Sequence, residues 1–429
     1  MTSSKKPNYT LPIIVMFFLF AMISFVTGFQ NPFGVILKEQ LGLSALQSQL
    51  GNAANFIAYA FMGLPAGMIL QKKGYKFSAI AAVLVGLVGV VLMFFSSMLS
   101  GDSIFTVYLF GAFVAGFSMC MLNTVVNPML NTLGGGGKTG NQLLQFGGAL
   151  NSLSATICPV LVGYLMGGSL QGLTLEAARP ALYVAAGIFL LAFVVLYFSK
   201  LPEPILEEMA RNKGKVEAQP TLAGALKFKH YLGGVVAIFL YVGIEVGIPN
   251  MANLYMTASV SEGGLAMNTA VAGSIVGAYW FLMLIGRLLG GSIAGVVSSK
   301  TMLTAVSAVA LCLIAGAIFI EPTMVNVPFI NVEAPLNILL LVICGLCTSV
   351  MWGGIFNLAA EGLGKYTAVA SGFFMVMVCG GGILPLIQGA VADASNYLTS
   401  YWVLFIAVLY LLYYALIGSR VSRRDDSAN

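Results

Sequence analysis

The sequence predicts an all-α integral membrane protein with twelve transmembrane helices in two six-helix, pseudo-symmetric bundles. Three observations lead there. Twelve apolar segments run through the 429 residues, one long polar stretch at 200–230 parts six from six, and nearly all basic residues fall on one side of the implied bilayer. Composition agrees: the chain is 59% hydrophobic and 8% charged, where ordinary globular chains carry about 25% charge. A soluble enzyme with this composition would expose most of its surface as hydrocarbon. The 50 glycines suit helices packed through small residues, and the 15 prolines suit kinked membrane helices.

The segments lie at 11–36, 45–71, 76–98, 103–131, 140–167, 178–199, 231–258, 266–298, 301–320, 334–358, 367–392 and 400–418. Each is long enough to cross about 30 Å of hydrocarbon, some with tilt or a break. The domain division is therefore 1–199, a connector 200–230, and 231–429. The run from Leu11 exceeds a typical signal-peptide core and is expected to be an uncleaved first helix. With the N-terminus inside, 17 of the 20 Lys and Arg lie on the cytoplasmic side, which puts both termini in the cytoplasm. Leu and Met spacing before Arg211 predicts a short amphipathic helix in the connector. The halves echo each other weakly: Gly63-Leu-Pro-Ala-Gly67 leads to a basic turn ending at Lys76, and Gly286-Arg-Leu-Leu-Gly-Gly291 leads to Lys300.

Several function classes drop out. The net charge of +5 records topology, because the basic residues sit at helix ends; no basic face interleaved with aromatics could track a nucleic acid. All six cysteines fall inside apolar segments, and the Cys344/Cys347 pair has no second pair beside it, so neither a disulfide framework nor a metal site is expected. Gly134–Gly137 before Lys138 and the stretch Glu361–Lys365 lack the strand context of a phosphate loop. No nucleophile or cofactor motif supports an enzyme.

Polar groups inside the apolar segments carry the functional signal. Glu245 sits deep in the seventh segment, where a charge costs about 2.5 kcal/mol or more unless it faces a cavity or a partner. Arg287 is the expected partner, either in a purely structural brace or in a working pair. Candidate substrate-binding residues are Gln30, Asn31, Asn55, Asn123, Asn127, Gln145, Asn151, Glu245, Asn250, Asn253, Trp280, Trp352, Asn357 and Gln388. Each amide needs a partner that hydrocarbon does not offer. Asn123 and Asn127, like Asn141 and Gln145, are four apart and share a helix face, which suits a neutral, hydroxylated substrate or interhelical bonding. Asn31-Pro32, Asn127-Pro128 and Gly247-Ile-Pro-Asn250 are candidate breaks that expose backbone, or plain kinks. Trp280 and Trp352 could stack on the apolar face of a sugar ring or pack in the core.

The stretch Phe239-Leu-Tyr-Val-Gly-Ile-Glu-Val-Gly247, with Gly286-Arg287, Phe356-Asn-Leu-Ala-Ala-Glu-Gly-Leu-Gly-Lys-Tyr-Thr367, Ser371-Gly372 and Gly380-Gly-Gly-Ile-Leu-Pro-Leu-Ile-Gln-Gly389, resembles the fucose:proton symporter family of the major facilitator superfamily. Its glucose/galactose transporter branch is the nearest match. The resemblance covers the transmembrane chain and is strongest in the second half. It implies the major facilitator fold and alternating access to a central sugar site between two bundles, in a bacterial inner membrane. The expected partners are a neutral sugar and membrane lipid, with no cofactor beyond a co-transported proton or sodium ion, and a monomer as the functional unit. A hexose such as glucose, galactose or mannose comes first, then an N-acetylated sugar; a membrane sensor on the same scaffold is the non-transport alternative.

Two departures matter. The family's fucose transporters carry an aspartate in the first helix, where this chain has Gly28, and a glutamate in an E-T-A-A-N-P motif that reads Asn123-Thr-Val-Val-Asn127-Pro128 here. The resemblance then leaves three mechanisms open: Glu245 accepts the coupling proton, Glu245 helps bind sodium through nearby oxygens, or transport is uncoupled and Glu245 is fixed by Arg287.

Overall fold

Hydrocarbon offers no hydrogen bonds to a bare backbone, so a spanning chain must close its own bonds, as helices or as a closed barrel. Helices dominate the computed structural model, which describes residues 9–28, 33, 36–37, 40–42, 50–101, 103–165, 174–211, 220–327 and 332–421. Among the described residues nine helices are long and apolar enough to cross a membrane, and Thr10–Phe25 is a shorter apolar helix. In order they begin with α1 (Thr10–Gly28), α2 (Leu50–Ser96), α3 (Ser103–Leu133), α4 (Gly137–Leu165) and α5 (Arg179–Phe198). The connector holds α6 (Pro204–Arg211) and a short turn α7 (Leu222–Ala225). There follow α8 (Lys229–Thr257), α9 (Thr269–Ala294) and α10 (Ser299–Phe319). The remainder is α11 (Leu336–Ser349), α12 (Met351–Ala360), α13 (Thr367–Val376), α14 (Gly380–Ala394) and α15 (Tyr401–Tyr413).

One element departs from the all-α expectation. Residues Met324–Val327 (β1) and Val332–Pro335 (β2) pair antiparallel, with Met324 opposite Pro335 and Val327 opposite Val332. They fill the polar interval between α10 and α11, where alternating Val and Asn replace the continuous apolar run.

The chain divides into two compact units. The first is Met1–Gly136, Leu153–Pro220 and Thr367–Met375; the second is Gly137–Ser152, Thr221–Tyr366 and Val376–Asn429. Each unit therefore takes one piece of helix from the other half of the sequence.

In the first unit, α2 is 47 residues long, and Gly74 breaks it with φ 79 and ψ −178. At 1.5 Å per residue α2 is about twice the thickness of the hydrocarbon, so the break lies where the chain must turn back. Only glycine adopts that φ without strain. The helix that restarts at Tyr75 has unpaired amides, and the Glu203 carboxylate accepts from the N–H of Tyr75 and of Lys76 at 2.7 Å each. Lys76 Nζ in turn donates to the carbonyls of Tyr197 and Ser199 at 2.8 Å each, at the end of α5. An anion thus sits at a helix start and a cation at a helix end, both favoured by the helix dipole. Partial burial raises the Glu203 carboxyl above the usual carboxylate range, and the two amide donors offset only part of that rise. Elsewhere in this unit Gly67 meets α13 so closely that a Cβ there would lie 2.9 Å from Gly372 Cα.

The second unit uses the same device. A Cβ at Gly286 on α9 would collide with Ser349 Oγ of α11, and one at Gly345 on α11 would collide with the carbonyl of Tyr279 on α9. Missing side chains let these two helices touch backbone to backbone, and that approach places Arg287 against its partners.

Glu203→Ala removes the cap of the restarted helix and is expected to cost about 1 kcal/mol. Thermal unfolding in detergent should show a lowered melting temperature, with Glu203→Asp intermediate; an unchanged value would mean the connector does not hold the turn.

Candidate functional site

Glu245 lies on α8 and Arg287 on α9, and Arg287 Nη2 donates to Glu245 Oε1 at 3.1 Å. The two side chains are 16% and 10% exposed within the protein, so the pair is largely desolvated even before lipid is considered. The other guanidinium nitrogens are also engaged. Nη1 donates to Ser152 Oγ at 2.6 Å, to the Gly148 carbonyl at 3.0 Å and to Asn151 Oδ1 at 3.5 Å, all on α4. Nε reaches the Ser349 carbonyl at 3.3 Å. Arg287 thereby joins α4, α8, α9 and the end of α11 within the second unit. The rigid fork of five donors explains why arginine fills this position. A Cβ at Gly148 would lie 3.3 Å from Arg287 Cδ, so glycine there makes room for the stem.

The neighbourhood of Glu245 follows from Pro249. A proline has no N–H, so the carbonyl four residues earlier, that of Glu245 itself, loses its helical donor. The helix nevertheless continues through Pro249. Tyr279 OH of α9 supplies the missing donor to the Glu245 carbonyl at 3.2 Å, and lies 3.0 Å from Thr348 Oγ1. The freed carbonyl is thus spent on a neighbouring helix. Tyr241, one turn before Glu245, is fully buried and packs against Trp352 with ring centroids 6.2 Å apart.

The remaining candidates separate by how their amides are used. In the first unit Asn123 Nδ2 donates to Tyr59 OH at 2.8 Å and to the Met119 carbonyl at 3.2 Å, while Asn127 Nδ2 donates to the Asn123 carbonyl at 2.8 Å and to its Oδ1 at 3.2 Å. Asn55 is buried, and neither of its amide atoms has a partner among the described residues. In the second unit Gln145 Nε2 donates to the Val350 carbonyl at 2.9 Å, where α11 gives way to α12, and to Asn141 Oδ1 at 3.3 Å. Asn357 Nδ2 donates to Ser299 Oγ at 2.8 Å, and its Oδ1 lacks a partner among the described residues. Gln388 is completely buried, with both amide atoms unpartnered among the described residues, and lies against Gly247 of α8. Asn253 Oδ1 is likewise unpartnered there. Asn250 is exposed, and Trp280 is 37% exposed with its ring edge-on to Tyr279. Gln30 and Asn31 lie outside the described residues.

Four participants escaped the sequence reading: Tyr59, Ser152, Tyr279 and Ser349. Tyr279 had a signal, since Pro249 obliges some donor to meet the Glu245 carbonyl; which helix provides it is a tertiary fact. Among the described residues no group of three or more His, Cys, Asp or Glu could hold a metal ion.

Arg287→Met alone strands the Glu245 charge, and such a loss is expected to cost about 3–5 kcal/mol. Adding Glu245→Gln to it should recover most of that loss in thermal unfolding; equal destabilisation by the single and double variants would show that the ion pair is not what Arg287 contributes.

The profile of the Major Facilitator Superfamily matches residues 16–386. The chain is 29% identical over 422 residues to a glucose/galactose transporter of Brucella abortus biovar 1 (strain 9-941), covering 98% of this chain and 96% of that one. It is 22% identical over 417 residues to the L-fucose-proton symporter of Escherichia coli (strain K12), covering 92% and 90%. Its fold matches a crystal structure of the superfamily transporter FucP in the outward conformation, with a TM-score of 0.77 at 20% identity over 97% of this chain and 100% of that one. The chain, with its membrane-length helices, belongs to the Major Facilitator Superfamily, a family of transporters.

Proposed function

We propose that this chain carries a neutral hexose across a bacterial inner membrane by alternating access, coupled to protons through Glu245. The observation that carries the reading is the desolvated Glu245–Arg287 pair, held at 3.1 Å between two membrane helices. A buried ion pair is a weak source of stability, and titratable groups inside a membrane protein mark coupling pathways more often than packing. With glycine and asparagine at positions 28 and 123, Glu245 is the carboxylate available for the task.

The chemistry is a competition for one carboxylate. A proton arriving on Glu245 removes the negative charge that holds Arg287 Nη2, while the carbonyls of Gly148 and Ser349 and the Ser152 hydroxyl keep the rest of the fork. Release of the proton restores the pair. A sodium ion at the same oxygen would have to displace the guanidinium, which favours the proton.

Sugar recognition falls to amides that the protein leaves unsatisfied. A buried amide atom without a partner costs about 1–3 kcal/mol, so both amide atoms of Asn55 and Gln388 and the Oδ1 atoms of Asn253 and Asn357 are assigned to sugar hydroxyls or to the waters that replace them. The sequence holds no dense cationic cluster of the kind that a phosphorylated sugar calls for. The relatives' names, glucose/galactose transporter and L-fucose-proton symporter, support the substrate class and the coupling. We further assign twelve crossings in two six-helix bundles: the interrupted α2 supplies two of them, and α1 and α4 join the remaining spans. Both termini are assigned to the cytoplasm from the distribution of Lys and Arg, and the monomer is taken as the functional unit.

Purified protein in liposomes should accumulate glucose, galactose or mannose against a gradient when protons are driven inward, with fucose and N-acetylglucosamine tested alongside. Glu245→Gln is expected to abolish accumulation while leaving sugar exchange. Accumulation driven only by sodium, or undiminished accumulation in Glu245→Gln, would remove the proton mechanism; equilibration under every gradient would make the protein a facilitator.

Gln388→Met should weaken sugar binding at least tenfold while holding or raising the melting temperature without sugar. A variant that melts lower and binds sugar normally would return Gln388 to packing.

A further inference from the structure

Residue 245 is held at both of its ends by one helix. Arg287 of α9 takes its carboxylate at 3.1 Å, and Tyr279 of the same helix donates to its backbone carbonyl at 3.2 Å. That carbonyl has lost its helical donor, because Pro249 has no N–H. Tyr279 is itself fixed. It is 1% exposed, its hydroxyl lies 3.0 Å from Thr348 Oγ1, and its backbone packs on α11 where Gly345 has no side chain.

We propose that Tyr279 is a positioning residue for Glu245: its hydroxyl replaces the helical donor lost at Pro249 and so sets where the carboxylate meets Arg287. The proposal rests on Glu245 being the coupling carboxylate, but the positioning itself can be measured without sugar. A turn of helix that has lost its internal bond is soft, and a main-chain shift of 1 Å moves the carboxylate by at least as much. At 3.1 Å such a shift decides whether the pair is hydrogen-bonded or merely close. With the hydroxyl in place, the main chain holds still, and the choice between paired and protonated Glu245 is made at the carboxylate. Without it, backbone relaxation competes, and proton uptake is no longer tied to one geometry.

Two features separate this role from ordinary packing. Tyr279→Phe removes only the hydroxyl and preserves the ring that lies between α9 and α11. Pro249→Ala returns the missing N–H to the helix, so the Glu245 carbonyl no longer needs an outside donor. If Tyr279 acts through that carbonyl, its loss must matter when residue 249 is proline and cease to matter when it is not.

The test uses the full-length protein in nanodiscs and a hydrophobic carbodiimide, which modifies protonated buried carboxyl groups, with modification of Glu245 read by mass spectrometry across pH. Tyr279→Phe is expected to change the labelling rate at least fivefold and to move its pH midpoint. In Pro249→Ala/Tyr279→Phe, the rate and midpoint should lie within twofold and 0.3 pH unit, roughly measurement error, of those for Pro249→Ala. Pro249→Gly also restores an N–H and serves if Pro249→Ala does not purify. The same factor in both backgrounds would overturn the proposal, as would a Tyr279→Phe protein that melts lower but labels and titrates like the wild type. Should the wild type move no sugar, the labelling result still decides the role of Tyr279; should it move sugar, Tyr279→Phe should lose accumulation about tenfold with binding within threefold.

Discussion

The second unit is organised around the need to satisfy one guanidinium inside a membrane protein. A buried arginine in a membrane helix is tolerated only if each face of the fork finds an acceptor, and Arg287 finds them on three neighbouring elements: Glu245 on α8, Gly148 and Ser152 on α4, and Ser349 at the end of α11. Only one of these acceptors carries charge. The neutral ones hold the side chain in place whatever the state of Glu245, which lets the carboxylate change without releasing the arginine altogether. A lysine would offer a point charge and three donors and could not span the same set.

That arrangement depends on backbone approach more than on side-chain chemistry. Between helices in lipid there is little hydrophobic gain to be had, so close contact is arranged by leaving side chains out. Gly286 and Gly345 draw α9 and α11 together next to Arg287 and Tyr279, and Gly148 clears space for the arginine's stem. In the first unit Gly67 and Gly372 do the same for α2 and α13, while Glu203 and Lys76 close the turn at Gly74 with charge at two helix ends. The weak echo between the Gly63–Gly67 and Gly286–Gly291 motifs thus corresponds to one physical device used in both units.

Much of this was legible in the chain. Apolar runs and glycine content marked spanning helices, the cost of a charge in hydrocarbon singled out Glu245 and named Arg287, and Pro249 announced an orphaned carbonyl. What could not be read was the identity of partners distant in sequence. Nothing local to Glu203 shows that it caps a helix starting at Tyr75, and nothing near Gln145 shows that its amide goes to Val350. The pairing of Met324–Val327 with Val332–Pro335 was missed because four-residue strands lie below the length at which a period of two stands out from a polar loop. Gln30 and Asn31, also singled out by the sequence, lie outside the described residues.

The buried amides show how stability and function divide within one chemical class. Asn127, Asn141 and Gln145 are joined to neighbouring carbonyls, side chains or sulfur, and their bonds tie helices to one another or to themselves. Asn55 and Gln388 are as deeply buried yet leave donors and acceptors unused among the described residues. Folding alone gives no reason to keep the second group, since leucine or methionine of similar volume would avoid the desolvation cost. On the proposed function a polyhydroxylated neutral molecule completes those hydrogen bonds, without bringing a charge that Arg287 and Glu245 would have to balance. The saturated amides fix the frame, and under that proposal the unsaturated ones are left for the substrate.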